Sequence, residues 1–301
     1  MSIKQILCSS IFFIAAHLFH LSGSITPAAF AQSELQTQST AATRVTLSES
    51  VAPQSIRVAT FNVSLYRDAK GQLSEELNQF EPHTSESSQL QQLARVIQTI
   101  RPDVLLLCEF DYESDANALT RFANRVLSVD CNGPDSRIQY PHRLSLPSNT
   151  GVLSGFDLNA DGVIVLPNDG WGFGRYAGQY AMAVLSRYPI DTTATRTFQK
   201  FRWSALPEAL RPADPESGQP FHDDATWKAM RLSSKNHADV AIDLPSESKQ
   251  RKRLHFLVSH PTPPVFDGPE DLNGRRNHDE IDFWRRYISE SDADYLIDDQ
   301  G

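Results

Sequence analysis

Cysteine is scarce in this chain, with three in 301 residues, and basic charge is outweighed, 28 Lys and Arg against 37 Asp and Glu. So few thiols offer no zinc-ligand spacing and no catalytic setting. A net charge of −9 ill suits non-specific DNA binding, which needs Lys and Arg to displace phosphate counterions, although local basic patches are compatible with it. No internal repeat is present, and long apolar runs are confined to the N-terminus. What remains has the composition of one globular domain with an N-terminal attachment, long enough to bury a substantial core.

Residues 1–31 carry one charge, Lys4, then a mostly apolar stretch over 6–21, and end in Ala29-Phe30-Ala31. This is the pattern of a secretory signal peptide cleaved after Ala31; the apolar core is short for a spanning helix, so no transmembrane segment is expected after processing. The expected location is therefore secreted or periplasmic. Residues 32–54, rich in Ser, Thr, Gln and Ala without apolar period, read as a flexible leader, and residues 55–301 as the folded domain. Export would permit Cys108 to pair with Cys131, but Cys108 lies in an apolar run, where burial as a small apolar residue is the stronger expectation.

Residues 56–63 are apolar on both parities, predicting a strand covered on both faces and ending at Asn62. Leu90, Leu93, Ile97 and Ile100 recur at helical spacing after the capping residues Thr84 and Ser85 with Glu86, and Pro102 closes that helix. Residues 104–110 give a second buried strand, ending at Glu109. Ser114 and Asp115 open a helix with Leu119, Phe122, Ala123 and Val126 inward. Strands are then expected at 140–146, 181–186, 193–203, 237–244 and 254–259, separated by the long loops 151–178 and 206–227. Asn277 with Glu280 predicts the start of a last helix burying Ile281, Trp284 and Ile288.

The run 254–259 delivers His260 into His260-Pro261-Thr262-Pro263-Pro264, followed by Asp267, Asp271, Asn273 and Asn277. Prolines stiffen this platform beneath the imidazole. An amide oxygen at Asn62 and a carboxylate at Glu109, at neighbouring strand ends, suit a hard divalent cation that otherwise keeps waters and phosphate oxygens. Spacing alone leaves each of the three with a structural alternative, a turn Asn, a solvated Glu and an oriented loop His. Asp157-Leu158-Asn159-Ala160-Asp161-Gly162 matches the first half of a calcium loop, but position twelve is Asn168, so a polar Asx-rich turn competes with a calcium site. Trp171, Phe173, Tyr176 and Tyr180 read as packing aromatics, with Tyr180 as a substrate contact.

The strings Ala59-Thr60-Phe61-Asn62-Val63, Cys108-Glu109-Phe110-Asp111, residues 178–190 and Val258-Ser259-His260-Pro261 resemble, in order and spacing, the endonuclease/exonuclease/phosphatase superfamily. Arg231-Leu232-Ser233-Ser234-Lys235 and residues 260–268 make an exported bacterial branch the nearest likeness. The resemblance implies an α/β four-layer α-β-β-α sandwich of the deoxyribonuclease I-like kind, with the site where strand ends converge. It implies that Asn62 arranges phosphate and metal, that Glu109 binds Mg2+ or Mn2+, and that His260 hydrogen-bonds or protonates near the scissile phosphate. Cys108 stands where many relatives carry Asn or Gln. The Gly-Asp-x-Asn and Ser-Asp-His elements of such relatives have no counterpart here, so the domain is expected to lack its C-terminal elements. The implied function is metal-dependent phosphoester hydrolysis outside the cytoplasm, with acidic charge favouring small or lipid-derived phosphoesters; the alternatives are a non-catalytic secreted binding domain or remnant, or a calcium-dependent interaction module.

Overall fold

The computed structural model describes residues 55–82, 88–246, 252–291 and 293–301, all within the compact unit Ser50–Gly301. The expected signal peptide, leader and Thr84/Ser85/Glu86 cap lie outside the described residues. Strand β1, Val58–Leu65, is followed by helices α1, Gln72–Gln79, and α2, Gln89–Ile100, and then by β2, Val104–Phe110. Ser88 caps α2, its hydroxyl accepting the Gln91 N–H at 3.2 Å, so this helix begins where a short hydroxyl can satisfy a free backbone donor. Helix α3, Asn117–Arg121, runs into a π-helical turn, Phe122–Leu127, and buries the four residues expected.

Strands β3, His142–Leu146, and β4, Met182–Ser186, complete a sheet ordered β1-β2-β4-β3, in which β1 and β2 are parallel and the others antiparallel. A second sheet joins β5, Arg196–Thr197, β6, His237–Leu244, and β7, Lys252–Ser259, all antiparallel. Helix α4 spans Asp224–Ala229 and helix α5 spans Leu272–Ser289.

Strand β2 explains the layering. Its alternate residues Leu105 and Leu107 pack with Leu73, Leu77, Leu93, Ile97 and Leu119 of the covering helices, while Val104, Leu106 and Cys108 pack with Ala238, Val240, Ile242 and Val258 of the second sheet. On the other side of that sheet, Phe283 and Trp284 of α5 lie against the His237 ring at 4.9 and 5.2 Å. Helices, sheet, sheet, helix make the four layers expected of a deoxyribonuclease I-like sandwich.

Four expectations are corrected. Strand β1 is not covered on both faces: Val58, Thr60, Asn62 and Ser64 are exposed, because the core between the two sheets is built on β2, β3 and β4 and does not reach β1. It also continues past Asn62 to Leu65 through a register shift with Ser64 in the left-handed region. The strand expected over 193–203 shrinks to Arg196–Thr197, since the Gln199 and Lys200 N–H groups donate to the Asp299 carboxylate at 2.9 and 2.8 Å instead of a neighbouring strand. Helix α5 starts at Leu272, five residues before Asn277, and turns Arg276, Asp279, Glu280 and Phe283 inward, leaving Ile281 and Ile288 56% and 72% exposed. Its inner face meets backbone groups and charges rather than a purely apolar floor. Cys108 and Cys131 are both buried and free, in different core clusters.

Candidate functional site

The parallel ends of β1 and β2 lie with the start of β4, and the start of β6 lies with the end of β7, because β4 and β6 run antiparallel to the strands they pair with. Lys235, just before β6, feels the charge of Glu109 at the end of β2, so the two sets share one edge. That edge collects the residues singled out by sequence. Asn62 Oδ1 accepts the Ser64 N–H at 3.1 Å and lies 3.3 Å from the Ser64 hydroxyl, which reaches Glu109 Oε2 at 3.5 Å. Ser64 thus links the two expected metal ligands. Ser64, Glu109 and Tyr180 have φ of 48°, 58° and 56°. Left-handed backbone costs a non-glycine residue roughly 1–3 kcal/mol, and such strain persists where surrounding structure over-determines it, most often at functional sites.

What over-determines it on this side is Asp111. Its buried carboxylate accepts the Arg67 N–H at 2.9 Å, the Tyr180 N–H at 3.2 Å and the Tyr176 hydroxyl at 2.5 Å. Burial raises the Asp111 pKa above the ordinary carboxylate value, an effect opposed by these same hydrogen bonds. Tyr180 is half-buried, with its ring 4.4 Å from that of Tyr66, and burial raises its phenol. It therefore forms part of an aromatic pair beside Glu109, as a wall would.

On the other side stands a residue whose role sequence reasoning missed. Lys235 is 8% exposed, its Nζ 3.4 Å from the Ser234 hydroxyl, and burial lowers its pKa while the carboxylates of Glu280 and Glu109 act to raise it. The signal was present in the string 231–235, where a lysine stands at the mouth of an apolar strand. His260 follows the Ser259 that pairs with His237, so Lys235 and His260 flank the same strand pair. Burial first, and the Lys235 ammonium second, push the imidazole down to about 3, so the ring is neutral near pH 7.

Three buried polar atoms at this strand pair have no hydrogen-bond partner among the described residues: His260 Nδ1, Asn236 Oδ1 and Thr262 Oγ1. Native interiors satisfy nearly all such atoms, so orphans beside the buried Lys235 mark a place for a polar guest: the ring nitrogen and the hydroxyl can meet an acceptor, whereas Asn236 Oδ1 calls for a donor. Among the described residues no three His, Cys, Asp or Glu side chains group into a metal cage. A lone carboxylate with an amide oxygen nonetheless fits magnesium or manganese, which take one or two protein oxygens and fill the rest with water and phosphate.

Loop 151–178 borders this edge and is stitched to it. The Asn149 N–H donates to the Lys235 carbonyl at 2.9 Å, and the Gly172 N–H to Asn149 O at 3.1 Å. Gly172 packs so closely that a Cβ there would sit 1.9 Å from Ser234 O. Within the loop, Asp157 accepts the N–H groups of Asp161 and Gly162 at 3.2 and 2.8 Å, and Asn159 Nδ2 donates to Asp161 Oδ2 at 2.8 Å. The structure does not bring these residues into the Glu109 and His260 site. They close an Asx-type turn on themselves.

No helix among the described residues is long and apolar enough to cross a membrane. A search of curated proteins gave no match. Among solved structures the chain is similar to an endonuclease/exonuclease/phosphatase from Beutenbergia cavernae DSM 12333, with 17% identity over 75% of this chain and 42% of that one, and a TM-score of 0.32. The sequence model of the Endonuclease/Exonuclease/phosphatase family matches residues 59–295, a stretch that holds Asn62, Glu109, Tyr180, Lys235 and His260 alike. On that match, which spans most of the chain, the protein belongs to the endonuclease/exonuclease/phosphatase family.

Proposed function

We propose that this protein is an exported, divalent-metal-dependent phosphoester hydrolase whose site is the strand-end cluster of Asn62, Glu109, Lys235 and His260. Membership of a family of phosphoester hydrolases supports the reaction class. The observation that carries the site is His260 Nδ1, a buried ring nitrogen without a partner, at the strand pair that also holds the unpartnered Thr262 hydroxyl and is flanked by Lys235. A phosphate oxygen supplies the acceptor that an ammonium and a neutral imidazole N–H need.

Each residue then has a task. Lys235 offers a desolvated positive charge to the phosphoryl group, where low dielectric strengthens it. His260, neutral and held by the proline platform, donates an N–H hydrogen bond to a phosphate oxygen or accepts a proton from the attacking water on its unprotonated ring nitrogen. Glu109 and Asn62 would hold a magnesium or manganese ion; when bound, it would offset negative charge building on the phosphoryl oxygens. Tyr180 lines the approach for the organic part of the ester. Acidic overall charge favours small or lipid-derived phosphoesters over long nucleic acid. Export rests on residues 1–31 and predicts a mature chain beginning at Gln32, which N-terminal sequencing of the secreted or periplasmic protein reads directly.

The test is a panel of phosphodiesters and phosphomonoesters assayed with magnesium, manganese and calcium, on the wild type, Glu109→Ala and His260→Ala. Loss of about a hundredfold or more in turnover is expected for each variant. Activity surviving both substitutions would sink the assignment.

A further inference from the structure

Helix α5 buries a carboxylate with no measurable exposure, Glu280. Its Oε1 accepts the Ser234 N–H at 2.9 Å and its Oε2 accepts the Thr262 N–H at 2.5 Å. Ser234 immediately precedes Lys235, and Thr262 follows His260 by two residues. Both N–H groups lie outside the strand ladders, so one side chain supplies the acceptors that their loops lack. The Glu280 carbonyl also accepts from His237 Nε2 at 2.8 Å, Asn277 Nδ2 donates to Thr262 O at 2.7 Å, and Trp284 Nε1 donates to Ser259 Oγ at 2.9 Å. Asn277, Glu280 and Trp284 stand at helical spacing on one face, so two turns of α5 grip both loops and the strand ends between them.

Charge neutralisation alone would explain a buried carboxylate here, since Lys235 and Arg276 are buried and feel the Glu280 charge. It would not require the two oxygens to be divided between two separate chain segments. We propose that Glu280 is a positioning residue: its carboxylate fixes the spacing between Lys235 and His260 by holding their loops on its two oxygens. The consequence for turnover rests on the phosphoester-hydrolase reading, whereas the clamp itself does not.

The experiment uses the full chain and two variants. Glu280→Gln keeps the shape but offers one acceptor in place of two, and Glu280→Asp keeps the charge but shortens the reach. In the wild type, the Ser234 and Thr262 amides should be protected from hydrogen exchange; an unprotected amide at either position overturns the clamp even if the glutamine variant does not fold. In both variants, exchange at one or both amides should accelerate by about tenfold or more, with Val240 and Phe256 in the strand interiors unchanged. Wild-type exchange in Glu280→Asp would reduce the residue to a counter-charge and overturn the proposal. On a minimal phosphoester, kcat should fall by about tenfold in both variants while KM stays within about threefold. Accelerated exchange with unchanged kcat overturns the positioning role. A wild type silent on every phosphoester sinks the hydrolase reading instead, and the exchange data then decide the clamp alone.

Discussion

Acidification should weaken the fold through His260 in a way that one substitution isolates. In the unfolded chain the imidazole takes its ordinary value of 6.5, and in the folded chain burial and Lys235 hold it at about 3. Between those values the unfolded chain binds a proton that the folded chain refuses. Stability is therefore full above the unfolded value, falls as pH drops through the window from 6.5 toward about 3, and levels below it. The limiting slope is about 1.4 kcal/mol per pH unit, and from about pH 7 to about pH 5 the loss integrates to about 2 kcal/mol. His237 and His222 are also pushed down, chiefly by burial, so the wild-type slope exceeds that of one histidine. The His260→Asn variant keeps those two. Urea unfolding of both proteins, in chelator at about pH 7, 6 and 5, should show the variant losing about 2 kcal/mol less than the wild type over that range. A stability difference that does not change with pH would refute the buried, neutral imidazole.

Gly172→Ala should destabilise the protein by about 2–3 kcal/mol and lower its melting temperature, because the new methyl meets the Ser234 carbonyl; an unchanged melting temperature would contradict that packing. Asp111→Ala strips acceptors from the Arg67 and Tyr180 N–H groups and the Tyr176 hydroxyl, so urea unfolding should register a loss of about 3 kcal/mol or more. Burial pushes the Cys108 thiol up to about 11 and raises that of Cys131, so iodoacetamide near neutral pH should modify neither in the native protein and both in urea without reductant. Mass spectrometry showing native labelling, or a Cys108–Cys131 bridge, would go against this.

Local pattern made part of this protein legible. Residues 104–108 announce a buried strand because both faces of β2 are covered and apolar residues run there without a gap, whereas residues 237–244 keep alternate apolar positions, Ala238, Val240 and Ile242, on the face that meets the other sheet. The proline-rich stretch after β7 likewise points to a held His260, whose ring is buried at the strand pair. Helix α5 misleads the same logic: its inner face carries Arg276, Asp279 and Glu280, whose partners are backbone groups and charges supplied by distant segments, so apolar period points outward to Ile281 and Ile288. Asp111 has no local signal, and Lys235 shows only as a lysine at the mouth of an apolar strand, for a related reason. Their environments come from residues 44 to 126 positions away, such as Arg67, Tyr180 and Glu109, and no local spacing encodes those meetings.

Loop 151–178, tied to Lys235 and Ser234 through Asn149 and Gly172, has a kinetic consequence. A segment whose backbone rests against the same peptide that carries the site lysine cannot swing aside as a gate while leaving that lysine in place. If this edge binds phosphoesters as proposed, they enter an opening already shaped, with the half-buried Tyr180 beside Glu109. Association should accordingly run in a single phase that scales with ligand concentration, without the slow step that closure of a cover would add.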